Sequence, residues 1–271
     1  MSKRKKPMLK KASLLAVAAM LQAAPLLATH PLITDDTATQ GTGKYQIELN
    51  GGYSTDMQTA DGASVRAKSI NACTTVTFGL SDGIDLAASL PWQWSRLEDG
   101  GNVVSEANGI GDFGVQLKWR ILENRSKSLS FAVKPGVSLP SGNEGKGFGN
   151  GEVSGSLILI ATGRNGTGAL HANLGFVHNS YRLDIDQGSL RSDLWHASLA
   201  AELNMASGLR SVANIGIDTN QNMSAWKSPA FLIGGLVYSP KSNLDLDIGL
   251  KKGLNDASVD TTVLAGATAR F

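Results

Sequence analysis

The chain has one cysteine, eight prolines, four histidines and only 6% aromatic residues across 271 positions. The single cysteine, Cys73, closes no internal disulfide, so an exported form of this chain has no cystine framework. Cys73 is read as a small residue inside a strand. Past the N-terminal region no stretch reaches the roughly 18 apolar residues that would mark a transmembrane helix. Metal-ligating residues are nowhere clustered at recognisable spacing, so neither a metal nor a cofactor is expected. No Pro-rich or Ser-rich linker divides the chain, which points to one large β-domain.

Acidic residues are missing from the first 29 positions, where Lys3, Arg4, Lys5, Lys6, Lys10 and Lys11 precede an apolar run from Ala12 to Leu21 and then small residues up to Ala28. This is the layout of a secretory signal peptide, read as residues 1–29 with cleavage near Ala28. Its loss removes six of 25 basic residues and none of 23 acidic ones, leaving 19 against 23, a net charge of −4. A surface of that sign repels phosphates on average, so nucleic acid is not an expected partner.

What the chain has in abundance is alternation. Leu244, Leu246, Ile248 and Leu250 fall on one face, with Asp245, Asp247, Gly249 and Lys251 on the other. The pattern resumes with Val263, Ala265, Ala267, Ala269 and Phe271 against Thr262, Gly266 and Arg270. Period two is the period of a β-strand, and about twelve such segments follow one another, most near the 9 to 11 residues that cross a bilayer at a tilt. Two of them, 154–161 and 231–238, are apolar on both faces, and their facing stays unassigned.

A soluble sandwich alternates as well, so the connections carry the distinction. Brief turns are predicted at Ser81-Asp82-Gly83, 124–128, 164–168, Ala206-Ser207-Gly208 and 240–243. The glycines ending the two three-residue turns are expected to be left-handed. Between the brief turns come longer polar connections at 55–64, 96–110, 140–151, 181–193 and 220–228; only the last loop, near Asn255, is short. Outer-membrane barrels put short turns on the periplasmic side and longer loops outside. The aromatics also fall at strand ends, with Tyr53, Trp92, Trp94, Phe113, Phe176 and Trp195 toward one rim and Tyr45, Phe78, Trp119, Phe131, Tyr238 and Phe271 toward the other. The expected fold is therefore all-β, a closed antiparallel transmembrane β-barrel of about 12 strands, lodged in the outer membrane after export.

In such a barrel the apolar face meets lipid and the polar face meets the lumen. Candidate lumen-lining residues are Glu48, Asn50, Thr75, Ser89, Gln116, Lys118, Lys134, Asn173, Glu202, Arg210, Asn214 and Asp247. Both charge signs are present, which indicates neither a cation nor an anion filter. If Met205 pairs with Leu209, Asn204 lies opposite Arg210 with Glu202 diagonal to it. The stretch Gly142–Gly151 is rich in glycine but lacks the Gly-Lys-Ser/Thr ending of a phosphate loop, and it reads as a mobile external loop.

His178 and Ser180, two apart at a predicted strand end, are a weak nucleophile and base pair. They are similar to the His-x-Ser of outer-membrane phospholipase. That family continues with Asn-Gly, where Tyr181-Arg182 stands here, and it supplies an orienting Asn where Ser192 stands here. No catalytic residue is assigned and an enzyme is not expected.

Longer matches carry a second resemblance. They are His30-Pro-Leu-Ile-Thr-Asp-Asp-Thr37, Thr39-Gln-Gly-Thr-Gly43, Gly79-Leu-Ser-Asp-Gly-Ile-Asp85 with Leu90-Pro91, and Gly109-Ile-Gly-Asp112 before Leu117-Lys-Trp-Arg120. Leu139-Pro-Ser-Gly142 and Gly147-Phe-Gly-Asn-Gly151 follow, with Glu152-Val153 where an aromatic is frequent. In this order the chain resembles the outer-membrane transporters grouped under the meta-pathway of phenol degradation, over nearly the whole mature sequence. The resemblance implies passive passage of a small solute, aromatic or hydrophobic in character, and brings no catalytic or ligand residues. The alternatives are a closed structural or envelope-interaction barrel and, third, a lipid hydrolase. Residues 30–43 are expected either to tuck into the lumen as a plug or to hang in the periplasm, with the barrel spanning 44–271. Expected partners are outer-membrane lipid, the small solute, and the barrel-assembly machinery through the last strand ending in Phe271.

Overall fold

The computed structural model describes residues 30–60 and 63–271; the signal-peptide reading of residues 1–29 lies outside the described residues. The described residues build thirteen strand segments: β1 (Tyr45–Ala60), β2 (Ala63–Ser81), β3 (Ile84–Asp99), β4 (Asn102–Ile110), β5 (Phe113–Glu123), β6 (Leu129–Leu139), β7 (Ser154–Asn165), β8 (Gly168–His178), β9 (Asp193–Ala206), β10 (Leu209–Asp218), β11 (Ala230–Lys241), β12 (Leu244–Gly253) and β13 (Thr261–Arg270). A short helix, α1 (Asp184–Ser189), lies between β8 and β9.

Each strand pairs antiparallel with its neighbour, and β1 pairs with β13 through a ladder from Gln46↔Arg270 to Thr55↔Thr261, so the sheet closes on itself. β4 and β5 are two halves of one stave. The outer half of β3 pairs with β4 and its inner half with β5, with Gly111-Asp112 as the break between them. The result is a closed 12-strand antiparallel barrel without edges over its ring.

Two predicted loops are strand instead. β1 runs to Ala60 and β2 starts at Ala63, while β3 and β4 continue the ladder to Asp99↔Asn102 around Gly100-Gly101. At about 3.4 Å per residue, the 19 residues of β2 extend roughly twice the ~30 Å hydrocarbon thickness. The alternation does not stop at the membrane boundary, and ladder pairing satisfies the backbone of these polar extensions. The two glycine turns also differ from expectation: Ser81↔Ile84 and Ala206↔Leu209 pair directly, leaving two-residue turns followed by register shifts. Gly208 is left-handed (φ 71°), whereas Gly83 is not among the residues with positive φ. The shift after Leu209 brings Arg210 opposite Asn204, with Glu202 at 2.8 Å from its guanidinium.

Large apolar side chains point outward. Leu49, Leu86, Leu174, Leu199, Leu236, Leu246 and Ile248 are all exposed on the barrel wall. At the end with the short turns and both strand termini, Tyr45 stacks on Phe271 at 4.8 Å; at the opposite end Phe176 meets Trp195 at 4.8 Å. An outward apolar belt with rings at both rims is the surface of an outer-membrane barrel, its short-turn end facing the periplasm.

The two segments apolar on both faces have a cause inside. Ile158, Ile160, Phe231, Ile233 and Val237 face inward and are buried, while Leu157, Leu159, Leu232 and Leu236 face out. Val237, together with Ala200 and Val212, makes an interior apolar patch that packs around Leu32.

Candidate functional site

Leu32 belongs to the segment preceding the barrel, and its burial follows from where that segment goes. Thr42 donates its hydroxyl to Asp82 in the β2–β3 turn at 2.9 Å, and the Gly43 amide donates to the Gly79 carbonyl at 2.9 Å, fixing the segment at the periplasmic mouth. Going back along the chain, Gln40 donates its amide to Asp85 at 3.0 Å. Thr37 meets Thr162 and Ser130. Asp35 lies between Lys118 (2.8 Å) and Lys134 (2.6 Å), and Asp36 pairs with Arg164 at 3.0 Å. The amides of Ile33 and Thr34 both donate to Asn214 Oδ1, at 2.7 and 3.1 Å. His30 reaches Asp247 at 2.5 Å on the far wall. The segment thus crosses the lumen from β3 to β12.

Glycines make room for it. A Cβ at Gly249 or Gly235 would fall 2.9 or 2.8 Å from Pro31, and one at Gly266 would fall 2.7 Å from both His30 and Asn50. The contacts are polar side chains meeting main-chain groups and charges, apart from Leu32 in its patch. With its amide turned so that both groups are satisfied, Asn173 brackets the Asp35 backbone, donating to the carbonyl (2.9 Å) and accepting from the amide (2.7 Å).

Five of the twelve residues singled out from sequence therefore touch this segment: Lys118, Lys134, Asn173, Asn214 and Asp247. Glu202 and Arg210 pair with each other nearer the periplasmic end, and Arg210 also reaches Asp245 at 3.3 Å, which Arg270 shares at 2.8 Å. Glu48, Thr75 and Ser89 line up across β1, β2 and β3 through the pairs Glu48↔Thr75 and Thr75↔Ser89. Asn50 lies beside Gly266, and Gln116 stands beside Ala87 and Gly136.

On the outer side of the segment the lumen widens into a cavity of about 300 Å³, lined by Ser89, Gln116, His196, Asp218, Phe231 and Lys251 among others. External loops cover it. Asp112 accepts the amides of Gly142 (2.9 Å) and Asn150 (2.8 Å), which folds the glycine-rich loop inward. Phe148 is consequently buried against Gly109, where a Cβ would fall 3.1 Å from its ring. The expectation of a loop standing outside thus gives way to one bent over the mouth. Arg191, beyond α1, ties two loops together by donating to the carbonyls of Asn220 (2.6 Å), Asn222, Met223 and Ala225.

A hydrogen-bond chain links the cavity to the crossing segment. Asp218 contacts His196 Nδ1 at 2.6 Å, His196 Nε2 contacts Ser198 Oγ at 2.8 Å, and Thr34 donates to Ser198 Oγ at 2.7 Å. Carboxylate, imidazole and hydroxyl stand in the order of a nucleophile relay, but here the hydroxyl is engaged by Thr34. His178 pairs with Asp193 at 2.7 Å on the exposed rim, and the Ser180 amide donates to Ser154 at 3.2 Å. Sequence reasoning did not single out Asp218, Lys251, Leu32 or Phe148. Lys251 and Asp218 carried a signal, as charges on the inward face of alternating strands. Leu32 and Phe148 lie outside the alternation.

A transmembrane β-barrel whose lumen is crossed by its own N-terminal segment is the class these features define. The chain belongs to the family described as "Putative MetA-pathway of phenol degradation", whose model matches residues 33–271. No curated protein sequence matches it. Among solved structures it is similar to the COG4313 outer membrane channel from Pseudomonas putida F1 (TM-score 0.66, 12% identity, covering 87% of this chain and 98% of that one). It is also similar to the NanC porin (TM-score 0.55, 10% identity, 82% and 98%) and to the translocator domain of the autotransporter NalP from Neisseria meningitidis (TM-score 0.52, 10% identity, 87% and 91%). At these identities the likeness establishes the barrel fold.

Proposed function

We propose that this protein is an outer-membrane channel for the passive passage of a small solute of aromatic or hydrophobic character, with residues 30–43 as its plug. The observation that carries the reading is the manner in which the segment is held: hydrogen bonds, ion pairs and one leucine, across a lumen that opens into a cavity beyond it. Contacts of this kind exchange with water at small net cost, unlike an apolar core. A barrel kept only as a scaffold would gain more from apolar filling.

Glu48, Asn50, Thr75, Ser89, Gln116, Lys118, Lys134, Asn173, Glu202, Arg210, Asn214 and Asp247 would line the passage once the plug moves. The aromatic character of the solute is supported by the family's link to phenol degradation, and the channel reading by the similar COG4313 channel and NanC porin. The protein is taken as a conduit and not a catalyst; undiminished lipid hydrolysis by a Ser180→Ala variant would dispose of the lipase alternative.

Planar-bilayer conductance and liposome swelling test the proposal on the mature chain and on a chain lacking residues 30–43. Greater permeability of the shortened chain is expected. Equal permeability of the two would remove the plug, and a barrel passing neither ions nor solutes in either form would remove the channel.

A further inference from the structure

The charges around the outer cavity are unequally committed. Its lining contains two carboxylates, Asp112 and Asp218. Asp112 is taken up by the amides of Gly142 and Asn150, and Asp218 by His196 Nδ1. Among the described residues that line the cavity, Lys251 is the only lysine or arginine. Its ammonium sits 4.5 Å from the centroid of the buried Phe231 ring, and among the described residues it makes no hydrogen bond or ion pair. Both acids of the chamber thus have hydrogen-bonding partners, while its one lysine, which Asp218 also attracts across space, lies against a ring face and keeps its hydrogen-bond donors unspent.

Lys251 also stands at a particular height. It lies two residues beyond Gly249, the glycine against Pro31, on the same inward face of β12. Its neighbour across the ladder is Ile233, and Phe231, two residues on, is nearly parallel to the His196 ring (14°, 6.4 Å). His196 in turn reaches Thr34 through Ser198. The ammonium therefore lies on the outer side of the crossing segment, in the lining of the cavity.

We propose that this cavity is a binding site for a small organic carboxylate, whose anionic oxygens take the hydrogen bonds of Lys251. Hydrogen bonds between ammonium and carboxylate are charge-assisted and stronger than neutral ones. A volume of about 300 Å³ admits an acid the size of one ring, since an apolar protein cavity of about 150 Å³ already holds benzene. The inference deepens the channel reading by naming the solute class, and it rests on that reading only for its consequence in passage, not for binding.

Benzoate and its neutral isostere benzamide separate charge from shape. Isothermal titration of the full mature chain, folded in detergent, is expected to give saturable benzoate binding, with benzamide about tenfold or more weaker, because a hydrogen bond to a charged group contributes about 1.5–3 kcal/mol. Lys251→Met should lower benzoate affinity to that of benzamide, Lys251→Arg should restore most of it, and Lys252→Met should change nothing. Heat-modifiable migration in electrophoresis verifies that each variant forms the barrel; if Lys251→Met does not, Lys251→Gln takes its place. Equal binding of benzoate and benzamide, no benzoate binding, or undiminished binding by the Lys251 variant would overturn the site. If those results came with intact conductance, the channel reading would survive; saturable, Lys251-dependent binding in a barrel that conducts nothing would uphold the site and remove the channel.

Discussion

Asp35 in the N-terminal segment and Lys134 in β6 form a buried ion pair at 2.6 Å, and Lys118 of β5 joins the same carboxylate at 2.8 Å. One anion from the plug answers two cations of the wall. Asp35→Asn removes the carboxylate that Lys118 and Lys134 share, with Asp36 at 3.9 Å from Lys118 still in place, a loss of about 3–5 kcal/mol for breaking a buried pair. The cost falls on the seated plug, since a displaced plug lets water solvate both lysines. Planar-bilayer recordings of Asp35→Asn should show conductance approaching that of the chain lacking residues 30–43, with the barrel's melting temperature changed far less.

Leu32 is the apolar anchor of the same segment, packed among Ala200, Val212 and Val237. Leu32→Ala should weaken seating by about 2–5 kcal/mol, the usual range for a buried leucine truncated to alanine. Liposome swelling should therefore be faster for the variant. Swelling at the unaltered rate would mean that Leu32 does not limit release.

Gly249 provides the space for Pro31. A valine there meets the proline ring, since even a Cβ would lie 2.9 Å from it. Gly249→Val should dislodge the segment while leaving the β11–β12 ladder paired. The measurement is limited proteolysis within residues 30–43 of the folded barrel in detergent, which should rise in the variant and stay low in the parent.

Asp82 in the β2–β3 turn accepts hydrogen bonds from the hydroxyl and amide of Thr42, and these hold its carboxyl below the usual carboxylate range. A depressed folded value means that the contact's contribution is fully present above the unfolded pKa, about 3.9, and is lost as pH falls through the lower folded value. The tether at the periplasmic mouth should thus be indifferent to pH between 5 and 8. Below about pH 4 it should loosen, and Asp82→Asn should abolish that acid-dependent part of any conductance change.

The barrel was legible because its physics is periodic. Leu246 and Ile248 against Asp245 and Asp247 say which way each side chain points whatever lies beyond, and the alternation of short and long connections orients the whole. Thr55–Ser64 and Arg96–Ile110 misled because polar composition reads as loop, whereas ladder pairing continues past the bilayer wherever both strands persist. The site was legible only as a set of inward faces. That Lys118, Lys134 and Asn173 all converge on Asp35 is a statement about three strands and a segment brought together by closure, and no local pattern encodes it. Lys251 looked like one more polar residue in a strand; it is set apart by which neighbours lack a claim on it.

The segment across the lumen is tied down at Gly43 and Thr42, beside the first strand, on the periplasmic side. On its outer side stand the loops that Asp112 and Arg191 hold over the cavity. In the proposed channel, a solute arriving from outside meets the chamber of Phe231 and Lys251 before it meets the segment, so selection falls to the chamber's lining.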